Sequence, residues 1–140
     1  MASLSNYLQN SLINYLLRDG IWSKPSEIAV CLLTSPASPS DTGSLSGKEV
    51  INGNGYSRQV VPVSDSSWQV PTIGITSNIP TISFPTATGS WGTVVGAALV
   101  DNSTYGSGNL LLFGTLSTQK VISQNDTFKF DPNSLIWTIT

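Results

Sequence analysis

The stretch Ile79–Val100, IPTISFPTATGSWGTVVGAALV, decides the fold. Ile82 and Phe84 alternate with small polar residues, the pattern of a strand with one buried face. Pro85 ends that strand, and Thr86–Ser90 carries turn chemistry, with Gly89 free to take a positive φ. Trp91 and Gly92 open a second run, Thr93–Val100. That run is apolar on both sides and is predicted to lie centrally in a sheet. Strand, irregular turn, strand is a unit of an antiparallel β protein. Trp91, at the bend, is expected to plug a corner of the core rather than serve as a ligand platform.

Upstream, residues 4–18 read as the one helix. Leu4, Leu8, Leu12, Tyr15 and Leu16 form a stripe at helical spacing, widened by Tyr7. Ser3 or Ser5 can cap the N-terminus, and Gly20 is placed to stop the C-terminus. Ile13 and Leu17 lie off the stripe, and no charge occurs before Arg18. Two readings follow: a helix buried within its own domain, slightly favoured, or a helix gripped between that domain and a neighbouring subunit. Ile28–Thr34 is apolar on both faces and is predicted to be a second central strand.

Residues 36–48, PASPSDTGSLSGK, form the clearest loop, read either as a disordered excursion or as an arm that docks on a neighbour. Tyr56–Val63 reads as a strand at an edge or with a bulge, because Pro62 cannot donate to a ladder. Downstream, Asn109–Leu116 is predicted as a strand, Ser117–Gln119 as a turn and Lys120–Ile122 as a short extended piece. Thr127–Phe130 and Leu135–Ile139 complete a count of about eight short strands separated by turn signals. The expected fold class is all-β: an antiparallel β-sandwich, jelly-roll-like, with one N-terminal α-helix, in a single domain over residues 1–140.

Composition narrows the function. Only 10% of the residues are charged, against roughly 25% in ordinary soluble domains. Such a surface suits contact with other proteins, since few charges need desolvating. The six basic residues are scattered and the net charge is −2, so no nucleic-acid footprint exists. No apolar run reaches the ~20 residues of a membrane span. Cys31 is alone and histidine is absent, which removes Ser-His and Cys-His machinery. No catalytic, cofactor-binding or metal-binding set is expected. Asp126 and Asp131 match no calcium-loop spacing and read as turn residues.

Several segments carry a family likeness: LSNYLQNSLINYLLR (4–18), IAVCLLTSP (28–36), NGNGYSRQ (52–59), ISFPTATGSWGTVVGAALVD (82–101), GNLLLFGTL (108–116) and NDTFKF (125–130). In them the chain resembles a family of small tailed-bacteriophage virion structural proteins, which includes tail-fibre-like proteins and capsid cement or decoration β-sandwiches. The resemblance implies a virion protein, made in the host bacterial cytoplasm, whose partners are other virion proteins. It implies a homo-oligomer, expected to be a trimer, and no enzyme activity. A head cement protein bound to the major capsid protein is the first expectation. A tail-fibre or minor tail protein that recognises a host glycan is the second.

Candidate contact residues follow from both lines. Tyr7, Ile13 and Leu17 on the helix are candidate subunit contacts, as is Arg58, the one basic residue inside a strand pattern. Arg58 shares a face with Tyr56, either stacked on an exposed sheet or paired across a subunit boundary. Trp68, and Tyr105 in the polar loop DNSTYGSG (101–108), are candidates for loop contact or glycan stacking.

Overall fold

The computed structural model describes residues 2–139; Met1 and Thr140, the ends of the expected domain, lie outside the described residues. The elements run β1 (Ser3–Leu4), α1 (Asn6–Leu17), β2 (Ile28–Leu33), β3 (Gln59–Val61) and β4 (Ile75–Ser77). They continue with β5 (Ile82–Ser83), β6 (Gly92–Val100), β7 (Leu110–Ile122), β8 (Lys129–Phe130) and β9 (Ile136–Thr138). The protein is all-β with one N-terminal helix, and every strand pair is antiparallel.

One five-stranded sheet has the order β1-β7-β6-β2-β3. The two runs that are apolar on both sides, β2 and β6, are interior strands, as their composition requires. β3 is an edge, with Pro62 just beyond it. Over the sheet lie two two-stranded ribbons, β4-β9 and β5-β8, where a jelly roll would place a continuous second sheet.

Side-chain alternation divides the apolar residues between the two sheet faces. Val30, Leu32, Val94, Ala97 and Leu99 meet the ribbons through Ile82, Phe84, Phe128, Phe130, Leu135 and Trp137, with Leu8 of α1 joining them. Ala29, Cys31, Leu33, Ala98, Val100 and Leu110 form the other face, which Leu45 of the 36–48 loop covers. Trp91 fills the corner predicted for it. It is buried, meets the Tyr56 ring edge-on at 5.4 Å, and donates from Nε1 to the Asn54 carbonyl at 2.8 Å.

Several strands are shorter than the sequence reading, and two differences have a clear physical cause. The turn predicted at Ser117–Gln119 is an irregularity inside the single strand β7. Thr115 pairs with Gly96 and Lys120 with Val94, so β7 carries extra residues between two points that are close together on β6. The helix starts at Asn6 because Ser5 is held in place. The Ser5 N–H donates to the Leu111 carbonyl and its hydroxyl to that of Leu110, while Oγ accepts from Leu8 N–H as an N-cap. Ser3–Leu4 instead adds a short strand to the β7 edge.

Candidate interaction surfaces

The loop end of the molecule is built on a buried ion pair. Glu49 sits in a bridge to Leu33, and Arg58 lies just before β3 on the neighbouring edge. Both side chains are fully buried, with a 2.9 Å contact between Nη2 and Oε2. Glu49 Oε1 also accepts from Arg58 Nε at 2.9 Å and from the Tyr56 hydroxyl at 2.7 Å. That hydroxyl in turn accepts from the Leu32 N–H at 3.1 Å. The rest of the guanidinium points at loop backbone. Nη1 donates to the carbonyls of Asn102, Thr104 and Ser107 at 2.8–3.0 Å, and Nη2 to that of Gly43 at 2.6 Å.

Arg58 therefore clasps the 101–108 loop to the 36–48 loop. The Gly43 N–H adds a bond to the Gly108 carbonyl at 3.1 Å, an approach so close that a Cβ on Gly43 would strike the Gly108 backbone. Asp101 closes the base of its loop by accepting from the Asn109 N–H at 2.6 Å and side-chain amide at 2.9 Å. Glu27 accepts from the Ser103 N–H at 2.7 Å. Within 36–48, Lys48 meets Asp41 at 2.6 Å, and that carboxylate also accepts from the Ser38 N–H. Those bonds hold the Asp41 pKa below the usual value even though partial burial works against its charge.

Electrostatics follow from burial. Desolvation opposes the charge on Arg58, but its hydrogen bonds to Glu49 and the attraction of that carboxylate hold its pKa above the ordinary arginine value. Desolvation, with negative charge nearby, pushes the Tyr56 phenol far above its usual range. The Cys31 thiol is raised for the same reasons, burial first and then Glu49.

Neither sequence reading of Arg58 describes this position. It is not stacked on an exposed sheet face, nor free to pair across a subunit boundary, because its own chain occupies the whole guanidinium. Glu49 has a role that sequence reasoning missed. The available signal was a lone acid beside Val50 and Ile51 in a chain with so few charges. Tyr105 packs one edge against Tyr56 at 6.2 Å and lies 5.8 Å from the Arg58 guanidinium, half-buried rather than a free platform. Trp68 lies outside the clasp. It bridges to Asn78 and rests on the main core as a half-buried lid.

The helix shows the opposite arrangement. Leu8 is its one buried residue, and Leu12 packs partly against the core. Tyr15 and Leu16, expected in the buried stripe, are exposed, because the last turns of α1 have no sheet beneath them. Ile13 and Leu17 face solvent as well, 53% and 79% exposed, and Leu16 reaches 72%. Tyr7 is exposed on the flank. A shallow hollow of about 710 Å³ adjoins the helix end between Asn14 and Gly20.

Two further features stand out. A tight hairpin, closed by paired bonds between Thr72 and Ile75 at 3.0 Å, exposes Ile73 at its tip. Ile73 has φ 53° and Gly74 has φ 74°, so a β-branched residue occupies the left-handed region, where Asn or Gly is usual. A groove of about 680 Å³ also runs between the far half of β7 and the β8–β9 segment, with Leu116, Phe128 and Leu135 at its apolar side and Lys120 and Lys129 at its rim.

Residues 3–138 match the family model described as podophage GP4 fiber I protein gp80. The chain belongs to that family. No curated protein matches it. Membership makes the chain a phage virion structural protein of a fibre family, which agrees with the resemblance noted in the sequence. Among the described residues, no helix is long and apolar enough to cross a membrane.

Proposed function

We propose that the protein is a tail-fibre subunit of the phage particle, structural rather than catalytic, working as a homo-oligomer with a trimer as the expected stoichiometry. The observation that carries this reading is the fibre-family match across 3–138, nearly the whole chain. The two kinds of surface support a division of labour within it. The exposed helix offers uncharged apolar area for contact with virion proteins, and the clasped loops form a polar end whose shape is set before any partner arrives.

Capsid cement is the competing role, and the charge-poor composition is the observation in its favour. Labelled antibody against purified particles separates the two. A fibre subunit decorates the tail region in few copies. Many copies on the shell, with shells turning fragile once stripped, would establish cement instead. Glycan recognition through the 36–48 and 101–108 loops, the second carrying the half-buried Tyr105, is tested on a glycan array; no binding at millimolar sugar removes that role.

A further inference from the structure

The outer face of α1 is a seam without an occupant. Asn6, Gln9, Ile13 and Leu16 recur at spacings of three, four and three, with Leu17 beside the last, and all are exposed. That is the spacing by which helices pack side by side in shallow-angle pairs. Ile13, Leu16 and Leu17 turn on the order of 300 Å² of apolar surface to water at roughly 100 Å² per side chain. A standard interface buries about 800 Å² on each partner, so these three side chains supply an apolar centre that the exposed Asn6 and Gln9 extend.

Charge selects the occupant. When identical helices meet around a symmetry axis, each residue faces its own copy or a near neighbour, so any charge in the seam would face a like charge. Asn6–Leu17 contains none. The first charges, Arg18 and Asp19, come at its end, are opposite and adjacent, and form no ion pair within the chain among the described residues. Parallel packing sets Asn6 against Asn6 and Ile13 against Ile13, whereas antiparallel packing would set the Asn6 amide against Leu17.

We infer that the α1 outer face is the self-association surface of this protein, joining parallel helices of identical copies through Asn6, Ile13, Leu16 and Leu17. The inference rests on the reading of the chain as an oligomeric virion subunit and names where its copies touch. Sedimentation equilibrium of the purified full chain tests it. The wild type is expected at a whole multiple of 14.8 kDa. Ile13→Glu with Leu16→Glu places like charges against each other and is expected to weaken association on the order of 100-fold or more, leaving the circular dichroism spectrum unchanged. Mixing that variant with Ile13→Lys plus Leu16→Lys is expected to restore association, because only a copy presenting the same face can supply the opposite charge.

A monomeric wild type at the highest soluble concentration overturns the inference. So does a Glu variant that stays oligomeric, or a Glu and Lys mixture that stays monomeric. A monomer that still labels the tail of the particle leaves the fibre reading standing and removes this one alone.

Discussion

The loop end and the helix of this molecule exchange the roles their compositions suggest. Residues 36–48 are rich in Ser, Pro and Gly and look mobile, yet they are tied down. Leu45 is buried, and Arg58 binds the Gly43 carbonyl and the 101–108 backbone at once. The helix is mostly apolar and looks buried, yet its last turns stand in water. The comparison teaches that order comes from satisfied partners rather than from apolar content. A polar loop with every buried group bonded can be rigid. An apolar helix without a facing surface keeps its area available for a partner outside the chain.

The largest expected effect breaks the loop end. Glu49→Ala leaves the Arg58 charge buried without its partner and should cost about 3–5 kcal/mol, read by urea unfolding. Glu49→Gln keeps one acceptor and should cost less. A loss below about 1 kcal/mol for the alanine variant would show that water reaches the pair.

Alkaline titration comes next, with a worked sign. The unfolded chain releases the Cys31 and Tyr56 protons near pH 9 and pH 10, whereas the folded chain holds both protons to higher pH. Stability from these two groups is therefore full below pH 9. It falls above their unfolded pKa values by about 1.4 kcal/mol per pH unit for each group. Thermal melts at stepped pH check this, and Tyr56→Phe should remove the part that begins near pH 10.

Ile73 sharpens the contrast from the other direction. It is 92% exposed and held at φ 53°, so its side chain gains little from the fold while its backbone is strained. Ile73→Asn should stabilise the isolated protein by about 1 kcal/mol, seen as a raised Tm. A lowered Tm would mean that the side chain has packing the exposure does not show. The smallest effect belongs to the helix. Leu17→Ser should change stability by no more than about 0.5 kcal/mol, because the side chain has nothing to lose inside its own chain. A drop of 2 kcal/mol or more would put Leu17 in a core.

The candidate surfaces were unequally legible. Ile13 and Leu17 stood out because they leave the helical stripe, a purely local observation. Leu16 did not, because it lies on the stripe, and the stripe does not say where the sheet ends. Arg58 is conspicuous in the sequence as the one basic residue inside a strand pattern, but its buried position is not legible there. Its six hydrogen bonds reach partners 9 to 49 residues away, and no pattern near position 58 reports them.

The sequence by itself determined the elements whose causes are local. The two-sided apolar runs became the interior strands β2 and β6, Pro62 pointed to an edge or a bulge, Ser3 or Ser5 placed the helix start to within about two residues, and Trp91 marked the corner after Ile82–Phe84. Periodicity, capping and turn chemistry act over a few residues, so they can be read along the chain. Only the tertiary structure decided that the second layer is two ribbons, that β7 runs through its irregular middle, that Glu49 and Arg58 close the loops, and that α1 extends past its support. Each of these depends on which distant backbone or side chain stands opposite, and burial is a property of that pairing rather than of the residue.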